Sequence, residues 1–256
     1  MSDTPNRTIL LHDLDVDASR FDSLKIRLRS LAQEVGVSLE DDQARLCLEH
    51  LLYVDQVNAY INLTRITDLD DAVVLHIVDS LTLVPYIAAD VYSFVDMGTG
   101  AGFPGVPLGV VSGQAGYLLD SVGKKVNAVN AIVQKLGLDR LTAVHSRLET
   151  YGKEHRGSAD LVVARALAQL PILLEYASPI LKHGGQLLVS KGNPTDDEVQ
   201  HGRAAAKLCG FELVDVHRIE LPEGYGHREI CDFRLLHKPS VKLPRADGMA
   251  KRQPLG

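Results

Sequence analysis

The stretch VDMGTGAGFPG, residues 95–105, follows a short apolar run and packs four glycines (Gly98, Gly100, Gly102, Gly105) into one loop. Glycine lacks the Cβ that holds a backbone away from a ligand, so a loop of this kind lets the chain approach a nucleotide closely. Two patterns fit the same residues. Gly98, Gly100 and Gly102 form GxGxG, whereas Gly100, Gly102 and Gly105 form the dinucleotide fingerprint GxGxxG. No GK[ST] closes the loop, which excludes a P-loop. What surrounds it must decide between the two.

Downstream, short apolar runs alternate with helical segments. YSFVDM, AGYLLD, LTAVH, DLVVA and GQLLVS are short and bounded by glycine or acids, as buried parallel strands are. PGVPLGVVSG, VGKKVNAVNAIVQKLG and LAQLPILLEYASPILK read as the helices between them, and SRLETYGKEHRGSA as a short polar connection. A helix over about Thr195–Leu208 then leads to FELVDVHRIEL and EICDFRLLHK, an antiparallel pair closing one edge. The expected fold is α/β, a Rossmann-like doubly wound sheet with an antiparallel last strand. Three helical stretches precede it. The first spaces Phe21, Leu24, Ile26, Leu28, Leu31 and Val35 and stops near Gly36; the second is capped by Ser38; the third is capped by Asp68 and runs to about Pro85–Ile87. The expected organisation is a helical extension (1–90), a catalytic domain (91–237) and a basic tail (238–256).

Composition narrows the class. The three cysteines are scattered, with no CxxC pair, which argues for reduced thiols and against a zinc site or disulfide frame. No apolar run reaches the length of a membrane span and no signal pattern opens the chain, so a cytoplasmic protein without a membrane partner is expected. Net charge is −6, yet it is uneven: residues 1–50 hold ten acids against six bases, and residues 238–256 five bases against Asp247. A local cationic surface matters more for phosphate binding than the global sum.

Three features favour S-adenosylmethionine over a dinucleotide. Pro104 and Pro107 shorten the helix after the loop, where a pyrophosphate would want a clean N-terminus. No second catalytic domain follows the fifth strand, and the chain instead continues into the helix and antiparallel pair that close a methyltransferase sheet. In either case Asp120, ending the second strand, is placed to accept from both ribose hydroxyls.

Taken in order, NLTRI (62–66), HIVDSL (76–81), VDMGTGAGFPGVPL (95–108), LLDSVGKKV (118–126), SRLE (146–149), ARALAQL (164–170), LVSKG (188–192) and PRADGMAKRQPL (244–255) resemble one family. It is the small-subunit ribosomal RNA guanine-N7 methyltransferases, also called the glucose-inhibited division protein B family. Phe103 stands where leucine is usual, and ARA replaces the commoner SRA. The resemblance implies a class I S-adenosylmethionine-dependent methyltransferase fold, with 16S ribosomal RNA or a small-subunit particle as partner. It implies donor contacts at Gly98, Phe103, Leu148, Glu149 and Arg165, with Gly100 and Gly102 in the loop and Asp120 on the ribose. Arg165 interrupts an apolar run and is taken as the catalytic residue. Lys124, Arg147, Lys191, Arg228 and Arg245 are candidates for RNA contact.

The residues permit such chemistry. The [ND]PP[YF] loop common in exocyclic-amine transfer is replaced by ARALAQL, and no cysteine lies near the fourth or fifth strand end for attack on pyrimidine C5. Guanine N7 has a free lone pair and loses no proton, so it needs placement and electrostatics, without a general base or a covalent intermediate. His76 and Asp79, one helical turn apart, read as anchors of their helix against the glycine loop, and Tyr225 as a turn aromatic packed at the sheet edge. No metal site is expected.

Overall fold

A computed structural model describes residues 9–256. The chain opens with α1 (Ala18–Glu34) and α2 (Asp41–Asn58). Leu24, Leu28, Leu31 and Ala32 form the buried stripe of α1, at the spacing that puts side chains on one helical face. Ile26 falls off that stripe and is 69% exposed. The cap of α2 is Glu40 where Ser38 was expected, and its backbone N–H donates to Gln43 Oε1 at 2.9 Å. The third helical stretch is broken. After α3 (Leu69–Ala72), capped by Asp68, comes a π-helical turn (Val73–Val78), then α4 (Asp79–Leu81) and a separate 3₁₀ turn at Val84–Tyr86.

The sheet follows. β1 (Ser93–Met97) runs into the glycine loop and α5 (Gly105–Ser112), then β2 (Ala115–Asp120), α6 (Gly123–Lys135) and β3 (Leu141–His145). The short polar connection contains α7 (Leu148–Glu154) before β4 (Ala159–Arg165). The segment expected to be one long helix splits into α8 (Leu170–Ala177) and the opening residues of β5 (Leu181–Lys191). α9 (Asp196–Cys209) is capped by Thr195 and precedes the hairpin of β6 (Phe211–Glu220) and β7 (His227–Leu235); a short α10 (Met249–Arg252) lies in the tail.

The seven strands order as β3-β2-β1-β4-β5-β7-β6. β1 to β5 pair in parallel, and β7 inserts antiparallel between β5 and β6. The order reverses between β1 and β4, so a crevice opens at their carboxyl ends, where doubly wound sheets bind ligands. Alternation along β1 sends Val95 and Met97 into a core shared with α8 and α9, and Phe94 into a second core shared with α5 and α6.

Neither end of the chain packs as a separate body. The first three helical stretches share a buried cluster with Ala101 and Phe103 of the glycine loop and with Ala128 and Ile132 of α6. The tail buries Leu243 and Ala250 in the core beneath α8 and α9. Among the described residues, no helix is long and apolar enough to cross a membrane.

Gly105 is where loop, strand and helix come closest. A Cβ there would lie 2.2 Å from Leu118 Cδ2 and 2.7 Å from Asp96 Oδ2. Gly105→Ala is expected to cost about 1–3 kcal/mol through overpacking, measured by denaturant unfolding; an unchanged midpoint would contradict this packing.

Candidate cofactor and nucleobase site

A cavity of about 490 Å³ opens at the carboxyl ends of β1, β2 and β4, within the size range of small-molecule sites. Its walls include Gly98, Gly100, Phe103, Asp120, Leu148, Glu149 and Arg165, seven of the eight residues expected to hold the cofactor. Gly102 is the exception. Its φ is +96°, and a Cβ there would press on His50 Nε2 at 2.7 Å, so this glycine faces the N-terminal helices behind the loop.

Two carboxylates hold the loop. Asp120 Oδ2 accepts from Gly100 N–H at 3.1 Å and Oδ1 from Val122 N–H at 2.8 Å. The carboxylate is thereby fixed at the cavity wall, with lone pairs left over for a diol. Asp96 lies fully buried beneath the loop, and its Oδ2 accepts from Gly105 N–H, the first of α5, at 2.9 Å. The N–H that a pyrophosphate would seek at this helix start is already taken by an anion. These residues fit an adenosine ribose and a cationic sulfonium and disfavour a dinucleotide.

At the far end, Glu149 opens the first turn of α7, and its Oε1 accepts from Gly248 N–H at 2.8 Å and from the Tyr176 hydroxyl at 3.4 Å. Gly248 and Lys251 line the cavity, so the tail forms part of its wall. Arg245 secures that arrangement: its guanidinium meets the buried Glu175 carboxylate at 2.8 and 2.5 Å.

The opposite wall comes from the N-terminal region. Leu63, Thr64 and His76 line the cavity, and the His76 ring stacks on Phe103 with centroids 4.7 Å apart. Phe103 is also flanked by His50, at 4.5 Å, and by the Arg165 guanidinium, 5.9 Å from its centroid. Burial pushes both histidines down, His50 to about 3 and His76 to about 4, so both are neutral around neutral pH. The expected anchoring role fits His76. Asp79 does something else: Oδ2 accepts from Arg165 at 2.7 Å and from Arg228 at 3.0 Å, and Oδ1 from Arg228 Nε at 2.8 Å. Arg165 also donates to the Leu75 carbonyl in the π-helical turn at 2.7 Å. One carboxylate facing two guanidiniums leaves a surplus positive charge beside the cavity.

The candidate RNA-contact residues divide. Lys124 and Arg147 are exposed, Arg147 at the cavity wall together with Lys125. Arg228 is held by Asp79, Arg245 by Glu175, and Lys191 by Glu198 at 2.7 Å and the Ala168 carbonyl at 3.1 Å. Each of these last three meets a carboxylate inside the protein, Arg228 sharing Asp79 with Arg165. Tyr225 packs at the edge of the N-terminal cluster, and its hydroxyl donates to Asp71.

Sequence reasoning did not assign Thr64, Tyr176, Gly248 or Lys251 to the site. The only signal for Thr64, Gly248 and Lys251 was their place in the NLTRI and tail motifs. Ala166, directly after Arg165, adopts φ +51°, a left-handed conformation rare outside glycine and common at functional turns.

Residues 43–230 match the rRNA small subunit methyltransferase G family. The chain belongs to that family. A ribosomal RNA small subunit methyltransferase G of Carboxydothermus hydrogenoformans is 33% identical, over 91% of this chain and 100% of its own. Another, of Staphylococcus epidermidis, is 34% identical over 87% of this chain and 94% of its own. The solved ribosomal protein L11 methylase of Lactobacillus delbrueckii subsp. bulgaricus superposes with a TM-score of 0.50 at 17% identity, covering 62% of this chain and 78% of that one. That likeness is one of fold: a class I S-adenosylmethionine-dependent methyltransferase sheet preceded by N-terminal helices. Members of the methyltransferase G family use S-adenosylmethionine.

The buried Asp96 gives a pH test. Burial raises its pKa from 3.8 to about 6. A group raised on folding favours the fold below its unfolded pKa and loses that contribution as pH rises through the folded one. Asp96→Asn keeps an acceptor for Gly105 N–H. Relative to wild type, the variant is expected to gain up to about 3 kcal/mol between pH 4 and 7, measured by urea unfolding at each pH. A pH-independent difference would contradict the burial of an ionising carboxyl.

Proposed function

We propose that this protein transfers the methyl group of S-adenosylmethionine to N7 of a guanine in 16S ribosomal RNA, as naked RNA or in a small-subunit particle, in the cytoplasm. The observation that carries this reading is the match to the methyltransferase G family over residues 43–230, with the glycine loop, Asp120, Leu148, Glu149 and Arg165 lining one cavity. When bound, S-adenosylmethionine supplies a methyl group on an electrophilic sulfonium.

The chain's own residues bind and orient. Asp120 holds the ribose; Gly98, Gly100 and Phe103 give close backbone approach and an apolar wall; Leu148 and Glu149 border the adenine end. Arg165, fixed by Asp79 and Leu75, faces the reacting end and is proposed as the catalytic residue, acting through charge and placement. The neutral His76 is committed to Thr64. Burial pushes the Cys47 and Cys209 thiols up to about 12 and Cys231 to about 11, well away from thiolate chemistry. An acceptor that needs neither base nor nucleophile suits this site. Lys124, Lys125, Arg147 and Lys251 remain at or near the rim for RNA phosphates.

In cells lacking the gene, mass mapping of 16S ribosomal RNA is expected to lose one N7-methylguanosine; an unchanged content would refute the proposal. Asp120→Ala is expected to weaken S-adenosylhomocysteine binding by about 1–3 kcal/mol, through unpaired polar groups, read by calorimetry. Unchanged affinity would remove Asp120 from the ribose site.

A further inference from the structure

Thr64 lines the cavity together with the apolar side chains of Leu63 and Phe103. A hydroxyl has one proton to donate and two lone pairs to accept with. One lone pair of Thr64 Oγ1 takes the Ile66 N–H at 3.1 Å. His76 Nε2 lies 2.7 Å from the same oxygen. His76 Nδ1 is buried with no partner among the described residues, and His76 is only 9% exposed. The neutral ring carries one proton. On Nδ1 it would leave a buried N–H donating to nothing, the costlier orphan; on Nε2 it donates to Thr64. Both lone pairs of Thr64 are then occupied, and its proton has no acceptor among the described residues. The hydroxyl, half-buried at the cavity wall, is left as a donor that cannot also accept.

A serine or threonine hydroxyl ordinarily fails to tell a donor from an acceptor, because it can serve as either. This one is locked. Beside N7, guanine presents the carbonyl oxygen O6, an acceptor, whereas adenine presents an amine, a donor. We propose that Thr64 is a specificity-determining residue, whose hydroxyl donates to guanine O6 and rejects adenine, with His76 as the positioning residue that fills its second lone pair. The inference rests on the functional reading above and deepens it: it assigns the nucleobase end of the cavity. It also accounts for a buried, neutral histidine inside a catalytic wall without giving it a proton to move.

The test uses the full chain and small-subunit RNA carrying guanosine, inosine or 2-aminopurine riboside at the target position. Inosine keeps O6 and N7 and lacks the 2-amino group; 2-aminopurine keeps N7 and lacks O6. Wild type is expected to methylate guanosine and inosine alike, and 2-aminopurine with a kcat/KM lower by about ten- to a hundred-fold. Thr64→Val should bring guanosine down to the 2-aminopurine level, lower 2-aminopurine no further, and leave S-adenosylhomocysteine affinity by calorimetry unaltered. Thr64→Ser should restore the preference for guanosine. A Thr64→Val enzyme that still prefers guanosine to 2-aminopurine overturns the assignment. So does a loss of S-adenosylhomocysteine affinity with that preference intact, which would make Thr64 a cofactor contact. Should Thr64→Val fail to fold, the wild-type comparison decides: equal rates on guanosine and 2-aminopurine overturn it. A wild type that methylates no guanine at all instead overturns the functional reading on which it stands.

Discussion

The hydrogen bonds from Asp96 and Asp120 to the glycine loop, at 2.9 and 3.1 Å, are the constraint on which the rest of the site depends. A loop lined with glycine is entropically costly to order, and it holds one shape only if its backbone donors are satisfied. Those of Gly100 and Gly105 are satisfied here by carboxylates, and those of Thr99, Gly102 and Phe103 by backbone carbonyls. That choice sets the electrostatics: an anion beneath the start of α5 uses the donor that would attract a phosphate and makes the neighbourhood hospitable to positive charge. The cost is a buried carboxyl whose pKa is pushed up to about 6, and the fold accepts that ionisation penalty to fix the loop.

A second carboxylate node ties the site to the rest of the chain. Asp79, at the start of α4, binds Arg165 at the end of β4 and Arg228 near the start of β7, so three segments distant in sequence meet on one group. Removing Asp79 would leave two guanidiniums without their shared counter-charge, which is costly in low dielectric. With both in place the node carries excess positive charge next to the cavity. The π-helical turn just before Asp79 supplies the Leu75 carbonyl that takes another Arg165 hydrogen bond. The N-terminal region is therefore a structural part of the cavity: the loop after α2 supplies Leu63 and Thr64, the π-helical turn supplies His76, and Phe103 packs into the same cluster.

The tail plays the matching part at the other end. Its basic composition reads as an exposed cationic arm, yet Leu243 and Ala250 are buried and Arg245 is spent on Glu175. What it gives to the cavity is mainly backbone: Gly248 N–H on Glu149, with Lys251 beside it. The ends of the chain thus close the two ends of a pocket whose floor is the sheet.

The sequence alone determined the strand order of business along the chain, the glycine loop, Asp120 and the antiparallel closure. These are written in local signals, a period-two apolar run or a glycine where the backbone must approach. Phe103, Leu148, Glu149 and Arg165 came from matching segments, and the cavity brings them together. Only the tertiary structure decided what the charges do. Arg228 finds Asp79 149 residues away, and Arg245 finds Glu175 70 residues away, so no local pattern separates them from solvent-facing bases such as Lys124. Gly102 likewise met His50, a residue of α2, and not the ligand side of its own loop. Secondary structure follows short-range geometry, whereas the fate of an ionic or hydrogen-bonding group is fixed by whichever partner folding brings within 3 Å or so of it.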